Sequence, residues 1–359
     1  MDKKTIGIYI GWFFEPWDEH TVASGMGGSE TWAIELGKQF AKFGYNVIMY
    51  ANPEHDHIVV PGFDLVSTTR YDYDKMHRKF DYFIYSRNTS VIDYDLKCDN
   101  VYVMVHDVDM ITSEYPSERT NTSIGIGKVK KYCYLSEWHK ENILKNNSHL
   151  DIDESMLYKV SNGYSSEYYT DTNILQKEDY FVWSSSLERG FENFYMYVFF
   201  PLLQEFPHLK LYVSCGTIVQ KDLSMLRRAA LLPSVEVKGK LSKKELAELQ
   251  KGSKVWIYPG LFPETFCITA IESCAAGNVI VSPLSYGLKT TIGSLDYLQK
   301  FNLPTLQTEE DGKKYVDIVR NILNDENYRL HLAANSLALA KNFSWEKTAI
   351  EFINLFNEA

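Results

Sequence analysis

Between Pro263 and Gly277 the chain reads Pro-Glu-Thr-Phe-Cys-Ile-Thr-Ala-Ile-Glu-Ser-Cys-Ala-Ala-Gly, which sets Glu264 and Glu272 eight positions apart. Ile268, Ile271 and Ala275 recur at helical spacing, Thr265 has the chemistry of an N-cap, and Gly277 suits the position just past a helix end. Glu264 is then expected just before the first turn and Glu272 about two turns on. The amides of Phe266 and Cys267 fall where a helix leaves N–H groups unpaired and its dipole favours an anion. Two carboxylates for hydroxyls and an amide cluster for a diphosphate describe a nucleotide sugar. The same spacing also suits a first-turn Glu placed for the dipole and an exposed helix residue.

Composition narrows the classes. At 359 residues, 45% apolar and 23% charged, the chain predicts two domains, each burying its own core. The net charge of −10 opposes non-specific attraction to nucleic acid or an anionic membrane. Twenty-five tyrosines among 14% aromatics point to packing surfaces that can also hydrogen-bond. Cys98, Cys133, Cys215, Cys267 and Cys274 form no CxxC pair, so neither a disulfide framework nor a zinc site is expected. The sequons at Asn88, Asn121, Asn146 and Asn342 matter only to a secreted chain, and the apolar start closes at Glu15 and Asp18 without a cleavage site. The apolar run from Phe194 to Leu203 is about half a membrane span. A cytoplasmic protein without a transmembrane segment is expected.

The elements that must hold the chemistry follow from periodicity. Strands are predicted at 5–10, 46–50, 82–86, 101–106 and 132–136, with a glycine-rich loop to Ser29 and an amphipathic helix over 30–43 that Gly44 ends. A second series begins at Tyr180: helix 191–206, strand 210–214, helix 224–232, strand 235–238, a helix over 242–251 with a Ser242/Glu245 capping box, strand 255–258, and strand 279–282 after the Glu264 helix. Alternating strands and helices predict an α/β fold of two Rossmann-like halves with parallel sheets. The polar stretch 165–177 reads as the linker. Such halves bind ligands at the C-terminal ends of their strands, which places the expected ligand in a central cleft between them.

Other candidates sit at those strand ends. Gly27 and Gly28 open the first helix and would let a backbone approach an anion, although Glu30 stands where a dinucleotide fingerprint needs a third glycine. A flexible turn reads equally well. His106 and Asp107 end a strand; His106 could donate to a sugar hydroxyl or serve as a structural histidine. Asp107-Val-Asp109 fits the D-x-D pattern of metal-dependent sugar transferases, but Asp72/Asp74, Asp93/Asp95 and Asp151/Asp153 fit it equally. Ser184, Ser185 and Ser186 lead to Arg189-Gly190, a loop offering hydroxyls, amides and one guanidinium to a phosphate, or a solvated turn. Gly239, Lys240 and Leu241 lie where backbone groups could read a nucleobase edge.

Gly27-Gly28-Ser29-Glu30, His106-Asp107, Ser136-Glu137-Trp138-His139-Lys140, Asn162-Gly163, Ser185 to Gly190 and the Glu264/Glu272 element stand in an order that resembles glycosyltransferase family 4, the retaining GT-B glycosyltransferases. The resemblance spans nearly the whole chain. It implies a Rossmann-like acceptor domain over 1–165, a donor domain over 178–344, and a last helix within 345–359 that packs back on the first domain. The implied reaction moves a sugar from a UDP- or GDP-linked donor to a glycan or other hydroxyl acceptor, with no cofactor and no required metal. Glu264 would contact donor-sugar hydroxyls, Thr265, Phe266 and Cys267 the sugar and phosphate, and Glu272 the ribose. Arg189 would face the diphosphate, Gly27 and Gly28 would approach it, and His106 would lie near the transferred sugar. Two departures stand out: serines 184–186 replace a second basic residue, and Leu284 to Leu288 holds one glycine where two are frequent. The base, sugar, acceptor and oligomeric state stay open, as do two rival readings, a catalytically silent nucleotide-sugar binder and a nucleotide-sugar epimerase on the same fold.

Overall fold

The computed structural model describes residues 3–11, 16–55, 57–60, 62–87, 89, 91, 92, 95–108, 127–147, 152–215 and 220–358. They divide into two compact units. The first comprises residues 1–22, 26–163 and 345–359, and the second 23–25 and 164–344.

The first unit is built on one eight-stranded sheet in the order β3-β4-β2-β1-β5-β6-β7-β8. Its strands are β1 (Thr5–Tyr9), β2 (Asn46–Ala51), β3 (His57–Val60), β4 (Phe63–Ser67), β5 (Tyr82–Ser86), β6 (Val101–Met104), β7 (Val129–Tyr134) and β8 (Leu157–Lys159). The central strands are continuous apolar runs buried on both faces, which is what a parallel sheet covered by helices requires. The expectation of a wholly parallel sheet fails at one edge, where β3 pairs antiparallel with β4. Only Pro61 and Gly62 separate these strands, too short a connection for a parallel crossover.

The Gly28–Lys42 helix buries Trp32, Ile34, Leu36 and Phe40, and the final Trp345–Asn357 helix packs beside it within the same unit. Phe352 lies 6.0 Å from Trp32 and 6.2 Å from Phe40, and Phe356 stacks on Tyr82 at 4.1 Å between centroids. The Glu351 carboxylate of that helix accepts from the Ser161 amide at 2.6 Å and from the Ser161 hydroxyl at 2.9 Å. Tyrosines fill this core and several pair their hydroxyls: Tyr50 donates to Asp74 at 2.9 Å, and the Tyr71 and Tyr85 hydroxyls meet at 2.5 Å. Asp74 is buried there as a core hydrogen-bond acceptor while Asp72 is exposed, so the two carboxylates of that D-x-D pattern stand in different environments.

The second unit carries two parallel sheets, β11-β10-β9 and β12-β13. The strands are β9 (Tyr180–Trp183), β10 (Lys210–Val213), β11 (Val235–Val237), β12 (Val255–Ile257) and β13 (Val279–Val281). A bridge between Glu178 and Ser253 joins the two layers, and the Ser253 hydroxyl donates to the Tyr180 carbonyl at 2.8 Å. The helix expected over 191–206 is present but contains a π-turn at Tyr195–Phe199. The capping box of the Lys243–Gly252 helix is formed as its sequence predicts. Residues 165–177 are no free linker: Tyr169 donates to Gln250 at 2.6 Å, Thr172 to the Ala275 carbonyl at 2.9 Å, and Lys177 to the Ala276 carbonyl. Thr172 and Lys177, read from composition as solvated, satisfy the final carbonyls of the helix that carries Glu272.

Candidate functional site

In the second unit, β12 runs into the loop bearing Glu264. Glu264 is 5% exposed, and its Oε1 accepts two hydrogen bonds, from Arg189 Nη1 and from the Tyr258 hydroxyl, each at 2.5 Å. The Arg189 guanidinium also lies over the Phe262 ring at 4.2 Å. Burial works against its charge, but the Glu264 carboxylate, with smaller contributions from Tyr258 and Cys267, outweighs this and raises the guanidinium pKa. Burial, then the Glu264 charge, pushes the Tyr258 phenol far up, so it stays a neutral donor. The structure therefore joins Arg189 and Glu264, which sequence reading assigned to separate ligand groups. Tyr258, their third member, was missed; it follows β12 directly, where an apolar strand ending in a hydroxyl was the available signal.

The helix begins later than expected, over Ile268–Ala275, with Cys267 as the N-cap at φ 76°. Thr265 is thus not the cap. Tertiary hydrogen bonds hold 264–266 out of the helix: the Gly287 amide donates to the Glu264 carbonyl at 2.8 Å, and the Thr291 hydroxyl to the Phe266 carbonyl at 2.6 Å. The leading helical amides are those of Ile268 and Thr269 rather than Phe266 and Cys267. At the other end the prediction holds. Gly277, at φ 72°, donates to Cys274 O and Asn278 to Ser273 O, a Schellman closure.

Glu272 is half-buried on this helix. Burial raises its carboxyl pKa and the Lys243 ammonium partly opposes the shift. Lys243 is the first residue after the Ser242 cap, and sequence reading passed over it. Gly239 adopts φ 69°, its carbonyl accepting from Ser214 at 3.0 Å; Lys240 is exposed and Leu241 half-buried. The Ser185 carbonyl accepts from Trp183 Nε1 at 2.7 Å, and exposed Ser186 precedes the turn Leu187–Arg189. Gly190, at φ 109°, sits where a Cβ would meet Leu261 at 2.9 Å and Pro259 at 3.0 Å. In the loop with a single glycine, Tyr286 takes the left-handed conformation at φ 50°.

In the first unit, Gly27 caps the Gly28–Lys42 helix and both glycines are exposed. A Cβ on Gly27 would stand 2.5 Å from Glu30 Oε2, so a larger residue here would displace the acid of the helix's own first turn. His106 packs edge-on to Trp32 at 4.8 Å. Burial, then the positive charge of Arg87, then His139, lowers its pKa well below the ordinary value and keeps the imidazole neutral. The Asp107 carboxylate is held by Arg87 in a two-point fork, Nε to Oδ2 at 2.8 Å and Nη2 to Oδ1 at 2.9 Å. Asp109 lies outside the described residues. Among those described, no group of three or more His, Cys, Asp or Glu is placed to hold a metal ion, and no helix is long and apolar enough to cross a membrane.

Residues 172–338 match the family described as glycosyl transferases group 1. Over 127 residues the chain is 27% identical to a D-inositol 3-phosphate glycosyltransferase of Nocardioides sp., covering 35% of this chain and 26% of that protein. The protein of the same name from Xylanimonas cellulosilytica is 24% identical over 143 residues, covering 40% and 33%. The chain thus aligns with about a quarter to a third of the length of these relatives. Among solved structures, sucrose-phosphate synthase from Thermosynechococcus elongatus superposes with a TM-score of 0.74 at 14% identity, covering 99% of each chain. Anabaena HepE in complex with UDP and glucose gives 0.69 at 11% identity, covering 99% of this chain and 100% of that one. The chain thus has the GT-B fold of the solved structures it superposes on, and its second unit carries a match to the glycosyl transferases group 1 family over 172–338.

Proposed function

We propose that the chain transfers a glycosyl group from a nucleoside-diphosphate sugar to an acceptor hydroxyl, with retention of configuration and without a metal. The observation that carries this reading is one buried carboxylate, Glu264, joined to the Arg189 guanidinium just ahead of a helix that bears a second, half-buried carboxylate, Glu272. A guanidinium and helix amides suit a diphosphate, and carboxylates suit sugar and ribose hydroxyls. The second unit is the proposed donor domain and the first the proposed acceptor domain, acting in the cytoplasm.

No carboxylate is assigned as nucleophile. As the bond from the anomeric carbon to the diphosphate oxygen breaks, Arg189 and the amides of Ile268 and Thr269 offset the leaving charge. The acceptor oxygen attacks from the same face and passes its proton to the departing phosphate oxygen. Glu264 orients the sugar, and neutral His106 can exchange hydrogen bonds with a hydroxyl without adding charge.

One observation favours a second reading, a nucleotide-sugar binder without turnover: Arg189 is already paired with Glu264, and serines stand where another cation would help. The UDP and glucose bound by HepE make UDP-glucose the first donor to assay, with and without EDTA, reading the anomeric configuration by proton NMR. Retained configuration and full activity in EDTA are expected; inversion or a strict Mn²⁺ requirement refutes the mechanism, and donor binding without product supports the second reading.

A further inference from the structure

Arg87 carries an unusual concentration of constraints. It follows β5 directly and has φ 66°, a left-handed conformation that a side chain with a Cβ adopts only when its surroundings enforce it. Its guanidinium uses three nitrogens on two elements. Nε and Nη2 fork the Asp107 carboxylate at 2.8 and 2.9 Å, and Nη1 donates to the Ser29 hydroxyl at 3.0 Å in the first turn of the Gly28–Lys42 helix. Ser29 in turn donates to Glu30 Oε1 at 3.0 Å, itself 3.9 Å from Nη1. Two carboxylates already surround this cation, so a phosphate is not its expected partner.

The other side of the same turn is tied as firmly. Buried His139 accepts the Leu135 amide at Nδ1, 3.3 Å away, so its proton sits on Nε2, which donates to the Asp107 carbonyl at 2.9 Å. Asn142 donates to the Val108 carbonyl at 2.5 Å. Residues 106–108, which follow β6, are therefore clamped through the Asp107 carboxylate by Arg87 and through their carbonyls by the Glu137–Asn146 helix.

We propose that Arg87 is a positioning residue: it locks the His106–Asp107 turn to the start of the Gly28–Lys42 helix and so fixes where the His106 imidazole stands. The inference rests on the transfer reaction proposed above for its consequence, and on first-unit geometry alone for its physical content. Arg87 acts on His106 in two ways, by holding the adjoining residue and by placing a positive charge near the ring. His139 is the other titratable group acting on that ring, while Trp32 covers it from the helix. Lysine has one compact ammonium and cannot reproduce a fork that binds three acceptors at once.

The test uses the full chain and its Arg87→Lys and Arg87→Gln variants, with His106 followed through a pH titration by NMR of labelled histidine, and kcat and donor KM measured per folded molecule. In the wild type, His106 is expected to stay neutral to the acid limit of folding. Arg87→Gln should move its titration upward, and both variants should lower kcat about a hundredfold, as misplacement of a reacting group by about 1 Å does, with donor KM nearly unchanged. An unmoved His106 titration in Arg87→Gln overturns the proposal, and so does a wild-type kcat in either variant. If the wild-type chain transfers nothing, the proposed function fails, while the titration still decides whether Arg87 holds His106.

Discussion

Glu264 Oε1 is a single atom serving two donors, and this makes the Arg189–Glu264–Tyr258 cluster measurable by a double-mutant cycle. Tyr258→Phe removes one hydroxyl and no packing volume beyond it. A hydrogen bond to a charged acceptor is worth about 1.5–3 kcal/mol, and since Arg189 still holds the carboxylate we expect a loss near the lower figure, about 1.5 kcal/mol. Glu264→Gln keeps the shape and removes the charge. Breaking a fully buried ion pair costs about 3–5 kcal/mol, but the Arg189 side chain is 32% exposed, and water screens what the carboxylate leaves behind. About 1–2 kcal/mol is expected.

Because both changes act on one oxygen, the double variant should be less destabilised than the sum of the singles, by about 0.5–1.5 kcal/mol. Urea unfolding read by tryptophan fluorescence suits the test, since Trp256 and Trp183 stack on Tyr258 at 5.3 and 6.4 Å. An unchanged denaturant slope shows that the comparison is between equivalent transitions. Additivity within about 0.3 kcal/mol refutes the claim that Tyr258 and Glu264 act as one unit.

Two further perturbations have signs that follow from burial. Burial raises the Glu272 pKa from about 4.5, so its protonated form is favoured by folding and stability is lost as pH rises through the raised value. Glu272→Gln should therefore melt higher than the wild type at pH 7, lose that advantage below about pH 4.5, and bind donor less tightly; a lower melting temperature at pH 7 contradicts this. Burial, with Arg329 and Lys251 nearby, lowers the Lys177 pKa from 10.5 to about 7. The unfolded chain then holds the extra proton between these values, so stability should rise with pH from about 7 to 10.5 and the slope should shrink in Lys177→Met; an identical slope in both proteins rules out this assignment.

Apolar runs made the strand series legible because parallel strands are buried on both faces, and Gly277 was legible because a helix stop of this kind needs a left-handed residue. The start of the same helix was not. Its boundary depends on Gly287 and Thr291, which lie about 20 residues further on and claim the carbonyls of Glu264 and Phe266. Tyr258 and Arg87 escaped for a related reason: each looks ordinary in its own segment and gains its meaning from an acid elsewhere, Glu264 and Asp107 respectively. The antiparallel β3 has a half-exposed, four-residue pattern too short to announce itself. Composition marked 165–177 as polar but could not show that Tyr169, Thr172 and Lys177 spend that polarity on the second unit.

Binding of a nucleotide sugar at the Glu264 loop is measured most directly by calorimetric titration of UDP-glucose and GDP-mannose into the wild-type chain and the Arg189→Ala and Glu272→Gln variants. Saturable binding of at least one donor, weakened about tenfold or more by each substitution, is the predicted result, a loss of about 1.4 kcal/mol apiece. Equal affinity in all three proteins would contradict a donor held by these side chains.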